Sequence, residues 1–265
     1  MLLVLDIGNT RLKWAGFDGE RIVSRGAIFL AELEHFVARA GFDRHPPSRV
    51  VGSHVANQIS RDRVERQFAA LGLTVQWVTS SAEACGVRNG YDDPTRLGTD
   101  RWAAMVAAWH RGLAPCIVAC AGTALTVDQL DGEGHFLGGA IVAGFHAMLG
   151  GLAGNTAALS VDAGDWSARP TNTRDALATG AIDAMVGALE RGHARLTQRL
   201  RDTGVTAPPR IVLTGGSAYR LLAHLPQLPP SPGRSPTLRG EGNTVIDSLV
   251  LEGVRLLAES DAAPV

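Results

Sequence analysis

Apolar and polar positions change rhythm several times along the chain, and each rhythm predicts an element. Leu2-Leu3-Val4-Leu5 is an unbroken apolar run, and alternation follows it, so strands are expected over 2–7, 11–18 and 21–28, with Asp18-Gly19 as a hairpin turn. A helix over 30–40, a strand over 49–54, a helix over 58–71 and a strand over 73–78 come next, then a helix from Leu97 to Arg111. The order then restarts. Strand 115–120 leads through Ala121-Gly122-Thr123 to strand 124–130, and Asp131-Gly132-Glu133-Gly134 turns into strand 135–142. Helices over 144–153 and 174–203, a strand over 210–214, a short helix from 216 and a closing helix over 244–259 complete the pattern.

Both halves open with three consecutive strands, the first ending in a small polar turn, which reads as a weak internal duplication. Strand meanders mixed with strand–helix units predict an α/β class. The domains are expected to be 1–114 and 115–265, with the last helix a candidate to pack back on the first domain. Pro226 to Glu241 holds five prolines and little apolar content, and predicts a surface loop.

Composition narrows the classes. A formal charge of −1 leaves no basic surplus for nucleic acid, and 5% aromatic content leaves little for stacking on single strands. No apolar run is long enough to span a membrane. Asp6 follows only five residues, with no basic segment before it, which argues against a signal peptide. Cys85, Cys116 and Cys120 are odd in number and without paired spacing, which predicts reduced thiols in a cytoplasm. The eight histidines are scattered, so structural zinc is not expected.

The strongest chemical candidate is Asp6-Ile7-Gly8-Asn9-Thr10-Arg11-Leu12-Lys13, where a buried strand delivers a carboxylate into a tight turn. Lys13 is the only lysine in 265 residues, against 24 arginines. A compact ammonium meets a phosphate as a point charge, where a guanidinium is a planar fork, although one lysine can also survive by chance in a hairpin. Gly122-Thr123 and Leu213-Thr214-Gly215-Gly216 are two further turns of the same type, whose backbone N–H groups and hydroxyls can approach an anion closely. No Walker-type loop is present.

This order of turns resembles the actin-like ATPase superfamily of acetate and sugar kinases, in which two duplicated ribonuclease H-like domains clamp ATP. Leu97-Gly98-Thr99-Asp100-Arg101, Ala121 to Asp128, Gly138-Gly139-Ala140-Ile141 with Gly144, and Asn172-Thr173 with Ala176, Thr179 and Gly180 narrow it. Together they are similar to the motifs of the type III pantothenate kinases, a family that includes Bvg accessory factors. The resemblance runs from residue 1 to about residue 255.

The resemblance implies ATP and pantothenate as substrates and 4′-phosphopantothenate as product. It assigns the general base to Asp100, and Arg101 to the pantothenate carboxylate, with Gly98 and Thr99 beside them. Thr99 or Asp100 can equally start the following helix as a cap. Tyr91 and Thr179 are implied to line the pantothenate pocket, yet Tyr91 can be an ordinary turn tyrosine and Thr179 can bond its own helix. Residues 6–13 and Thr123 would meet ATP, with Asp6 orienting Mg²⁺ through water. Asp128 reads as a structural carboxylate.

Two departures stand out. Cys120 occupies a position where many members carry an Asp that helps bind K⁺ or NH₄⁺, which puts the monovalent cation in doubt. Ala143 replaces a proline, for which a small effect is expected. The family implies a cytoplasmic homodimer with the acceptor pocket near the interface. A non-catalytic nucleotide-binding accessory protein, or a kinase for another small acceptor, are the competing readings.

Overall fold

The computed structural model describes residues 1–155, 164–225 and 242–260. It divides into two units: Met1–His110 with the chain from Ser248 onward, and Arg111–Asp247.

The first unit contains β1 (Leu2–Ile7), β2 (Arg11–Asp18), β3 (Arg21–Phe29), α1 (Phe36–Arg39), β4 (Arg49–His54), α2 (Gln58–Ala69) and β5 (Val75–Trp77). A small hairpin, β6 (Glu83–Ala84) and β7 (Val87–Asn89), precedes α3 (Thr99–His110). The sheet order is β3-β2-β1-β4-β5, antiparallel from β3 to β1 and parallel from β1 to β5. β1 is central and flanked on both sides, which is why it reads as a continuous apolar run. Leu3, Leu5 and Ile7 face a core with Leu12, Phe36, Phe42, Val64 and Phe68. Strand alternation puts Val4 and Asp6 on the other face.

The second unit contains β8 (Cys116–Ala121), β9 (Ala124–Leu130), β10 (His135–Ala143), α4 (Phe145–Asn155), α5 (Thr173–Asp202), β11 (Arg210–Thr214), α6 (Ala218–Leu222) and β12 (Thr244–Val245). Its strands run β12-β11-β8-β9-β10, with β8 antiparallel to β9 and parallel to β11. This is the first sheet's connectivity repeated: β8, β9, β10, β11 and β12 take the places of β1, β2, β3, β4 and β5. Ile117, Val127, Met185, Leu189, Leu196 and Leu213 lie in its core.

The last helix, α7 (Leu249–Ser260), belongs to the first unit and packs on α3, β1 and β4. Its approach to α3 is so close that a Cβ on Gly253 would overlap the Ala103 carbonyl.

Two sequence-based expectations are corrected, and one element goes beyond them. The helix expected over 30–40 is a 3₁₀ helix, Leu30–His35, followed by the four-residue α1. Leu30, Leu33 and Phe36 recur every third residue, the period that a 3₁₀ helix aligns on one face, and Phe29 supplies no side-chain cap. The closing helix begins at Leu249 rather than 244, because Thr244–Val245 pair in parallel with Val212–Leu213. The hairpin β6–β7 was not expected at all: strands of two and three residues carry no readable alternation. The proline-rich segment 226–241 lies outside the described residues. Among the described residues, no helix is long and apolar enough to cross a membrane.

Candidate active site

The first unit brings Asp6, Lys13, Ser53 and Asp100 together. The sheet register does part of this: Asp6 on β1 is opposite Lys13 on antiparallel β2 and opposite Ser53 on parallel β4. Ser53 Oγ donates to Asp6 Oδ1 at 2.8 Å, and both side chains are buried. Burial pushes the Asp6 carboxyl up to about 6; the Asp100 charge adds to this, while Lys13 and the Ser53 hydrogen bond oppose it. A carboxylate held so far from its ordinary range is under-compensated by its surroundings and is suited to a cation.

Asp100 lies in the first turn of α3 and accepts the Arg101 backbone N–H at Oδ1, 2.8 Å away. Burial raises its pKa against the opposing influence of that hydrogen bond, of Arg101 and of Lys13. A Cβ at residue 98 would lie 2.9 Å from Asp100 Oδ1, so Gly98 makes room for the carboxylate. The next side chain, Arg101, is buried, and its Nη1 donates to Tyr91 Oη at 2.7 Å. The guanidinium also lies 5.6 Å from the Tyr91 ring centroid. Tyr91 and Arg101 therefore form one unit.

Thr99 is used differently. The His54 backbone N–H donates to Thr99 Oγ1 at 3.3 Å, and that hydroxyl stands 3.5 Å from the His54 carbonyl. Its polar capacity goes to tying α3 to β4. The Gly8 N–H donates to the Arg11 carbonyl at 3.1 Å and closes the turn, while Asn9 and Thr10 are exposed at its tip. Arg11 stacks 4.3 Å from the Phe29 ring, and Leu12 is a core residue. Ile7 is likewise in the core.

In the second unit, Thr123 is exposed on the turn between β8 and β9. Two glycines hold that turn. Gly144 N donates to the Thr123 carbonyl at 2.9 Å, and a Cβ at 144 would overlap the carbonyls of Gly122 and Thr123. Gly215, at φ +97°, packs on the Ala121 backbone, where a Cβ would lie 2.5 Å from the carbonyl oxygen. Thr179 bonds the loop before α5: its Oγ1 accepts from Ser167 N at 3.0 Å and donates to Ser167 O at 3.1 Å. Cys120, the last but one residue of β8, is opposite Thr126 and Thr214. Asp128 is fully buried on β9. Among the described residues, no cluster of three His, Cys, Asp or Glu side chains is arranged to hold a metal.

Sequence reasoning missed Ser53. A single serine at the end of an apolar strand carries no local signal; only the parallel register of β4 with β1 reveals its partner.

Comparison with known proteins agrees with the motifs. A family model described as type III pantothenate kinase matches residues 2–195. The type III pantothenate kinase of Leptothrix cholodnii is 42% identical, covering 98% of this chain and 97% of its own. That of Polaromonas sp. is 37% identical, covering 99% of each. Among solved structures, a Campylobacter jejuni protein described as a Baf family transcriptional activator superposes with a TM-score of 0.56 at 16% identity, covering 98% of each chain, which is a likeness of fold.

Proposed function

This chain belongs to the type III pantothenate kinase family, and from that premise we propose that it transfers the γ-phosphoryl group of ATP to the hydroxyl of pantothenate. The product is 4′-phosphopantothenate, on the route to coenzyme A. The observation that carries the assignment to this chain is the pairing of Asp100, with its raised pKa, and the buried Asp6 around Lys13.

Asp100 accepts the proton of the acceptor hydroxyl as its oxygen bonds to the γ-phosphorus. The bond from phosphorus to the β–γ bridging oxygen breaks, and ADP leaves. A base with a raised pKa holds that proton more firmly than an ordinary aspartate would. Arg101, with its orientation fixed by Tyr91, offers a guanidinium fork to the pantothenate carboxylate. Lys13 and the turn at residues 8–10 meet the β- and γ-phosphates, and Thr123 meets the nucleotide.

Asp6 fits a divalent cation: it is a hard oxygen donor, and its burial leaves a charge in need of a counter-charge. Mg²⁺, when bound, would supply charge neutralisation at the phosphates, and Asp6 would be the residue that holds it. A monovalent cation has a poorer site here, because the thiol of Cys120 is a weak ligand for K⁺. A homodimer in the cytoplasm is part of the same reading, and sedimentation of the purified protein tests its size.

The decisive experiment is mass spectrometry of wild type and Asp100→Asn with MgATP and pantothenate, with a panel of sugars as control acceptors. Phosphopantothenate from wild type, and a fall in kcat of about 10²–10⁴ in the variant, are expected for loss of a general base. Nucleotide binding without product would overturn the reading in favour of an accessory protein.

A further inference from the structure

Asp6 is held from one side by a residue that none of the motifs contains. Ser53 is fully buried, its Cα is set opposite Asp6 by the β1–β4 ladder, and its hydroxyl donates to Oδ1 at 2.8 Å. Among the described residues no hydrogen bond reaches Oδ2. The residue after it, His54, binds Thr99 through its backbone, directly before Asp100. Residue 53 thus holds Asp6 by its side chain, and residue 54 holds the neighbour of Asp100 by its main chain.

The duplicated sheet provides an internal contrast. Aligning β8, β9 and β11 with β1, β2 and β4 puts Cys120, Thr126 and Thr214 in register with one another as Asp6, Lys13 and Ser53 are. The second set carries no carboxylate and no ammonium. The buried hydroxyl aimed at a buried carboxylate belongs to the copy that keeps its charges.

We propose that Ser53 is a positioning residue for phosphoryl transfer: it fixes the Asp6 carboxylate through Oδ1 and leaves Oδ2 for the magnesium–nucleotide complex. This rests on the role of Asp6 proposed above. A buried serine that merely satisfies its own hydroxyl would matter only for stability. A positioning serine also sets how well the carboxylate meets a metal, because an unrestrained buried carboxylate samples several rotamers.

The test is calorimetric binding of ADP with and without Mg²⁺ to wild type, Ser53→Ala, Ser53→Thr and Asp6→Asn, with melting temperatures measured without ligand. Wild type should bind ADP more tightly with Mg²⁺, and Asp6→Asn should lose that gain. Ser53→Ala should lose about tenfold of it, with kcat falling and the pantothenate KM unchanged. Ser53→Thr, which restores the donor, should recover most of it. Should Ser53→Ala fail to fold, Ser53→Cys, of similar size but a weaker donor, should show an intermediate loss. A Ser53→Ala or Ser53→Cys variant that changes only its melting temperature, with the Mg²⁺ gain intact, overturns the proposal while leaving the Asp6 reading in place. An Asp6→Asn variant that keeps the gain overturns both.

Discussion

Asp6 shows at the scale of one residue how function opposes stability. Its carboxyl is raised from 3.8 to about 6 in the folded chain, mainly by burial. A group whose folded pKa lies above its unfolded value binds its proton more tightly when folded, so it favours folding below pH 3.8 and loses that contribution as pH rises through about 6. Above that pH the ligand-free protein carries a buried anion at a cost of roughly 3 kcal/mol, taking about 1.4 kcal/mol for each pKa unit. Asp6→Asn should therefore raise the melting temperature of the ligand-free protein at pH 8 by several degrees, and much less at pH 4, while abolishing kinase activity. Calorimetry from pH 4 to 8 checks this, and a variant destabilised equally at both ends would contradict it. The same paradox explains what could be read in advance. Asp6, Lys13, Asp100 and Arg101 are charged residues placed beside glycines or apolar runs, and their oddity is local. Ser53 is not odd locally, and neither are the hydroxyls of Thr99 and Thr179, which the fold spends on backbone groups of His54 and Ser167.

Elements position these residues through their ends. The hairpin β1–β2, the meander β8–β9–β10 and the long α5 were legible because each has enough residues to display its period. The segments that escaped, β6–β7 and β12, have two or three residues each and exist because a neighbouring strand pairs with them. The turn between β8 and β9 depends on such non-local support. Its shape is held by Gly144, which sits about twenty residues later in sequence and whose N–H bonds the Thr123 carbonyl. Gly144→Ala puts a methyl group where the Gly122 and Thr123 carbonyls are, so backbone must move. Because the turn meets nucleotide in the proposed reaction, the ATP KM should rise by about tenfold or more while the pantothenate KM stays within about twofold, a shift worth over 1 kcal/mol at one substrate only. Steady-state kinetics with each substrate varied decides it; equal losses for both substrates would point to general unfolding instead.

At the scale of the whole molecule, the chain contains the same five-stranded connectivity twice, with different chemistry at equivalent places. Duplication sets the framework of each unit, and divergence at strand ends sets what each can bind. The carboxylate at the end of β1 has the thiol of Cys120 as its counterpart at the end of β8, and the two strands beside that thiol supply the hydroxyls of Thr126 and Thr214. Thr126 Oγ1 is buried and meets no hydrogen-bond partner among the described residues. A thiol and two hydroxyls make a neutral set, and a neutral set attracts K⁺ weakly, since a hard cation favours charged or carbonyl oxygen. Wild type should accordingly show nearly the same kcat in KCl as in choline chloride at equal ionic strength. Cys120→Asp places an anion at the position equivalent to Asp6, and the half-buried charge should destabilise the protein unless a cation accompanies it. The variant should melt lower than wild type in choline chloride and recover in KCl, and its activity should become K⁺-dependent. A steep K⁺ activation of wild type would refute this account of Cys120, for it would mean that backbone carbonyls alone build a competent cation site in the second copy of the sheet.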